Sequence, residues 1–246
     1  MDVWGVGKKI IIVTSGAILV ASGVSAKDLP VLEILTKLNG NADKITSLQV
    51  TLQLSVKNIG AYGKTLDESG SVESLTISRS LQKMHRKTTT DEEVWDSGKK
   101  LRGRKIGNGW RNEPFQGTLE QSTPNALKNI LFPEYLVGRM KVTSIVSHGH
   151  RVHLILVPPL ANGSKSKTMR WEMDINMQKG IIEGLETYND VGVKTESLWT
   201  NKWAKFGDAW IPGEVKIKRY GANNILTMHY SLRDIIINAP ELDEGQ

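Results

Sequence analysis

Leu48-Gln49-Val50-Thr51-Leu52-Gln53-Leu54-Ser55-Val56-Lys57 alternates apolar and polar residues without a break. Successive side chains on a strand point to opposite faces, so this stretch predicts a strand with one apolar and one wet face. The apolar set Leu48, Val50, Leu52 and Leu54 therefore needs a second layer to bury it. Immediately upstream, residues 28–45 supply one. Asp28 is placed to cap a helix and Pro30 falls in its first turn, where a missing N–H costs little. Val31, Ile34, Leu35, Leu38, Ala42 and Ile45 recur at helical spacing along one face, and Gly40-Asn41 marks an interruption or early end.

Downstream, the pattern stays β. Gly60, Gly63 and Gly70 punctuate a loop before a strand around 72–79, and 83–110 reads as several short basic strands turning at Ser97-Gly98 and Asn108-Gly109. Residues 122–132 interrupt this as a short helix: Ser122 or Thr123 caps it, Pro124 opens it and Pro133 stops it. Strands are then expected at 140–147, 151–157, 169–176, 181–188, 195–203, 210–220, 224–232 and 234–238. Short Gly, Pro and Asn links between them, as at Lys179-Gly180, favour antiparallel hairpins over parallel crossovers. The expected fold is mainly β (α+β): an unclosed antiparallel half-barrel of about 10–11 strands, its concave face covered by the N-terminal helix and the short inserted helix. No composition break divides it, so residues 27–246 are read as a single domain.

The start of the chain has the grammar of a secretory leader. Lys8 and Lys9 precede an apolar run from Ile10 to Val20, and Val24-Ser25-Ala26 offers a small-residue cleavage site before Lys27. The run is shorter than the ~20 apolar residues a bilayer span needs, so residues 1–26 are expected to be removed. No cysteine is present for lipid attachment or disulfides. The expected location is extracytoplasmic, most simply the periplasm, with the protein freed rather than tethered. Beyond the leader the chain has 30 basic and 25 acidic residues, net +5, well interspersed. No arginine-rich stripe or nucleic-acid motif accompanies this charge, so nucleic acid is not an expected partner.

Motifs for chemistry are absent from the sequence. It has no Gly-x-Ser-x-Gly elbow, no phosphate-binding Gly-Lys loop and no His-Glu-x-x-His. His148 and His150 share a strand face, but His153 points away, and zinc sites want three or four ligands. No enzyme activity, metal or cofactor is expected.

Three segments resemble the LolA/LolB superfamily of outer-membrane lipoprotein-sorting proteins. They are the helix Val31-Leu-Glu-Ile-Leu-Thr-Lys-Leu38 running into Ile45-Thr-Ser-Leu-Gln-Val-Thr-Leu-Gln-Leu54; Trp171-Glu-Met-Asp-Ile175 with Glu183-Gly-Leu-Glu-Thr-Tyr-Asn-Asp-Val-Gly192; and Gly207-Asp-Ala-Trp-Ile-Pro212 with Val215-Lys-Ile-Lys218 and Ile235-Ile-Ile-Asn-Ala-Pro240. The resemblance implies an unclosed barrel with helices at its mouth or interior and a hydrophobic cavity for acyl chains. It implies a monomeric carrier of lipid or lipoprotein acyl chains that works between membrane donor and acceptor proteins. A sensory or regulatory protein-binding module on the same fold is the alternative. The resemblance implies a functional arginine in the cavity, but the sequence does not place it on any one of Arg79, Arg86, Arg102 or Arg104. Strand parity names the candidate cavity residues: Leu48, Val50, Leu52 and Leu54; Trp171, Met173 and Ile175; Val215 and Ile217; and Met228 and Tyr230, which share their face with Leu226 and Leu232.

Overall fold

The computed structural model describes residues 10–14, 17–21, 29–137, 140–158 and 169–238. The expected cleavage site at Ala26 and Lys27, and the expected cap Asp28, lie outside the described residues. Two short strands, β1 (Ile10–Thr14) and β2 (Ala17–Ala21), pair only with each other. Helix α1 (Leu29–Ala42) leads into β3 (Ser47–Gly60), β4 (Thr65–Ser78), β5 (Lys83–Lys87), β6 (Glu92–Asp96), β7 (Leu101–Ile106) and β8 (Gly109–Pro114). Three short helices follow: α2 (Leu119–Ser122), α3 (Asn125–Leu131) and α4 (Pro133–Val137). The chain then forms β9 (Lys141–His148), β10 (Arg151–Val157), β11 (Arg170–Asn176), β12 (Ile181–Tyr188), β13 (Lys194–Phe206), β14 (Ala209–Tyr220) and β15 (Asn224–Ile237).

Strands β3 to β15 form one antiparallel sheet of 13, in the order β8-β7-β6-β5-β4-β3-β15-β14-β13-β12-β11-β10-β9. β8 and β9 are its unpaired edges, so the sheet curls without closing. The single swap in this meander brings the last strand beside β3 and ties the two halves of the chain together. The sheet exceeds the expected 10–11 strands because 83–114 folds into four strands, each only five or six residues long. The expected 224–232 and 234–238 prove to be one strand, β15. A bulge between Arg233 and Ile236, with Asp234 at a φ of 50°, carries it across the apparent break.

The helices also differ in detail from the reading of the sequence. Of the two expected roles of Gly40-Asn41 it is the early end that holds: the pair lies in the last turn of α1, which stops at Ala42, short of 45. The inserted helix is three segments, not one. Thr118 and Gln121 make a capping box at α2, Pro124 precedes α3, and Pro133 opens α4 instead of stopping the run. Proline is tolerated at a first helical position because that N–H has no intrahelical partner.

The apolar face of α1 packs as its spacing predicts. Ile34, Leu38 and Ala42 are buried, as is Ile45 just beyond, while Val31 and Leu35 are half-buried. α1 lies against α3, α4, β12 and β14. Leu119, Leu127, Leu131 and Val137 from the short helices join the same core. Each fully buried aliphatic side chain contributes about 2 kcal/mol relative to its exposed state.

Two polar devices lock α1 in place. The Asn41 side chain accepts from Trp210 N (2.8 Å) and donates to Trp210 O (3.0 Å), pairing with β14 as a strand neighbour would. Arg79, in the β4–β5 turn, donates to the Ala42 and Ile45 carbonyls and stacks 5.5 Å from the Phe132 ring. It satisfies carbonyls that the helix end leaves open. At the β11–β12 turn, Gly180 has a φ of 66°, and a Cβ there would sit 2.2 Å from the Lys37 carbonyl oxygen. Only glycine permits both the backbone conformation and the approach to α1.

Candidate functional site

Residues directly opposite in an antiparallel sheet share a face. From β3 the register carries one row across eight strands: Val56, Met228, Ile217, Leu198, Leu185, Met173, Leu154 and Ile145. Every member is apolar, and all face the concave side. Ile217, Leu198, Leu185, Met173 and Leu154 are buried, but Val56 and Met228 are only half-buried. The helices lie against β12 and β14 on this face, whereas the row is only half-buried at its β3–β15 end.

That open end is the candidate site. Its floor is Leu54 and Val56 of β3 with Leu226, Met228 and Tyr230 of β15, all half-buried. Its walls are polar. On β4 the residues facing Leu52, Leu54 and Val56 are Glu73, Ser71 and Ser69. Arg86 Nε donates to Glu73 Oε2 at 2.7 Å. On the other side Arg219 and Glu196 pair at 2.7 Å, next to Leu226. Trp171 lies half-buried further along that rim row, opposite Thr187. Burial, and then the nearby Glu73 charge, pushes the Tyr230 hydroxyl above its ordinary value.

The other sequence candidates separate cleanly from this group. Leu48, Val50, Leu52, Met173, Ile175, Val215 and Ile217 are sealed in the core. Leu54, Trp171, Met228 and Tyr230 keep partial exposure. Leu232 is buried, and Leu226 joins the open floor.

All four candidate arginines are engaged. Arg79 caps α1 and Arg86 holds Glu73. Arg102 and Arg104 both bond the Oε1 of Glu93, at 2.6 and 2.7 Å. Glu93 is 4% exposed. Burial pushes its carboxyl up, yet the bonds from Arg104 and Arg102 outweigh this and hold it below the usual carboxylate range. Sequence reading missed these pairs, although the signal was present. Folding the chain about the 88–91 and 97–100 turns sets Arg86, Glu93 and Arg104 opposite one another.

His153 bonds Asp174 through Nδ1 at 2.8 Å. Among the described residues, no group of three or more His, Cys, Asp or Glu gathers to hold a metal, and no helix is long and apolar enough to cross a membrane.

Solved structures share this architecture. A domain assigned to outer-membrane lipoprotein sorting, from Vibrio parahaemolyticus, aligns over 85% of this chain and 92% of its own. Its TM-score is 0.55 at 10% identity. The fold is LolA-like. A LolA superfamily protein from Nitrosomonas europaea aligns over 87% of this chain and 97% of its own, with a TM-score of 0.51 at 8% identity. The alignment with the Pseudomonas aeruginosa MucA/MucB complex spans 84% of this chain at a TM-score of 0.25, too low to argue from. No protein-family model and no curated protein sequence matches the chain. At such identities the likeness concerns the backbone, and function has to be argued from the trough itself.

Proposed function

We propose that this protein is an extracytoplasmic carrier that seats lipid or lipoprotein acyl chains along the open end of its concave face. The observation that supports this is the continuous apolar row from Ile145 to Val56, covered by helices over one stretch and uncovered at Met228 and Val56. A chain laid on Leu54, Val56, Leu226 and Met228 would extend the core outward, gaining about 0.8 kcal/mol per buried methylene. That magnitude suits reversible capture and release. The polar walls Glu73–Arg86 and Glu196–Arg219 are internally neutralised, so they border the chain without demanding a charged ligand. Release to donor or acceptor proteins then rests on differences in affinity alone. The leader-like start, read as a removed export signal without a lipid-bearing cysteine, puts such a carrier in the periplasm and frees it to shuttle.

Organic extraction of protein purified from a bacterial envelope fraction, with mass spectrometry of the extract, tests this directly. Acyl lipid is expected in the extract, and the delipidated protein should bind a fluorescent fatty acid. Met228→Glu should weaken that binding more than ~10-fold while changing stability by about 1 kcal/mol or less, as its side chain is only partly buried. A protein that yields no lipid and binds no probe is not a carrier.

A further inference from the structure

The positive charge of the chain is not spread evenly over the sheet. Beyond the leader the net charge is +5, and residues 83–113, the span of β5 to β8, hold nine basic and five acidic side chains, net +4. The last hairpin of this wing, β7–β8, lies at the sheet edge, and all six residues of β8 are exposed. Its turn is tight: Ile106 stands opposite Gly109 across Gly107 and Asn108, and Gly107 takes a φ of 59°. Ile106 and Trp110 therefore sit at the tip, 56% and 50% exposed. One step behind, Arg104 stands opposite Arg111, and Lys105 opposite Trp110. An apolar tip with a collar of three cations results.

Ion pairs within the wing leave the cations outermost. Arg104 and Lys105 bond Glu93 and Glu92 of β6, whose side chains are mostly covered while both cations stay well exposed. Arg111 reaches only Glu113, at 3.6 Å, and is more exposed still. The β3–β4 hairpin offers a contrast within the molecule. Tyr62 and Leu66 are exposed at its tip, but Asp67 and Glu68 follow them. Tryptophan favours the membrane–water interface, and Lys and Arg are drawn to anionic headgroups. Two apolar side chains are far too little area for a stable protein interface, whereas a bilayer demands no matching shape. We propose that the β7–β8 hairpin is a membrane-docking tip. Ile106 and Trp110 enter the interfacial layer of an anionic bilayer, while Arg104, Lys105 and Arg111 lie among its phosphate groups. This goes beyond the carrier reading and stands whether or not the trough holds a lipid.

The test is co-sedimentation of the purified protein with vesicles of phosphatidylcholine alone, and with about 30 mol% phosphatidylglycerol added. Wild type should bind the anionic vesicles ~10-fold more tightly or better, and rising salt should weaken that binding. Ile106→Ser and Trp110→Ser should each weaken it about fivefold by removing inserted apolar surface. Arg111→Gln should weaken it about fivefold by removing one cation. Ile106 and Arg111 are exposed, so their variants should melt as wild type does. They keep the test valid if Trp110→Ser, whose ring lies against Gly103, folds poorly. Tyr62→Ser, at the acidic tip, should leave binding unchanged. Equal binding to both vesicles overturns the docking tip. So does binding that Ile106→Ser and Arg111→Gln leave unchanged, or an equal loss from Tyr62→Ser. None of these outcomes bears on fatty-acid binding, which tests the carrier reading separately.

Discussion

Along β3, Leu48, Val50 and Leu52 are at most 1% exposed, whereas Leu54 and Val56, further along the same face, stay half-buried. The alternation does not change between these two halves; their surroundings do. Opposite the first half stand Ile77 and Leu75 of β4, continued by Met84 and Trp95, with the helices above. Opposite the second half stand Ser71 and Ser69, with Glu73 at the boundary. One half is core and the other a half-buried floor. A strand can carry a uniform apolar pattern and still be part core and part surface, divided where its β4 partners change from Ile77 and Leu75 to Ser71 and Ser69.

The sharpest way to break this division is to lift α1 from the sheet. Gly180→Val sets a branched side chain against the Lys37 carbonyl at a positive φ, and should cost about 4 kcal/mol in denaturant unfolding. Next, truncation should tell the halves of β3 apart. Leu52→Ala is expected to cost about 3 kcal/mol by leaving a cavity, and Leu54→Ala only about 1 kcal/mol, since a half-buried side chain removes less area from water. Equal costs would mean that the floor is core after all.

Glu93→Gln should cost about 2 kcal/mol, because Arg102 and Arg104 lose their shared carboxylate while remaining partly solvated. The Glu93 carboxyl is held low in the folded protein. Its stabilisation is therefore present above the unfolded value of about 4.3 and is lost as pH falls through the lower folded value. An acid titration of stability should show this loss in the wild type and a flatter acid limb in the variant. Asn41→Ala should cost about 1–2 kcal/mol from the unpaired Trp210 backbone groups. Loosened packing of α1 should accompany it, read as faster amide exchange in residues 31–42 than in β3.

Much of this was legible from the residues. The β3 alternation, the α1 stripe and the hairpin turns of the C-terminal half were all stated by local spacing. The concave face of each strand followed from parity, and so did the membership of Met228, Tyr230 and Trp171 in it. The division of the β4 face was present too, in the change from Leu75 and Ile77 to Glu73, Ser71 and Ser69. What escaped was whatever depended on distant partners. Gly40-Asn41 signalled the early end of α1, but the hydrogen bonds of Asn41 reach across 169 positions to Trp210 and left no local sign.

The sequence by itself determined the secondary structure, the antiparallel meander and which side chains share the concave face, because these follow from period-2 and period-3.6 spacing within a few residues. The tertiary structure decided which part of that face is open. The helices pack on β12 and β14, and Leu154 and Val56, members of one row, end as core and half-buried floor respectively. Parity is a local property of a strand, whereas coverage depends on the path of another element packed over it.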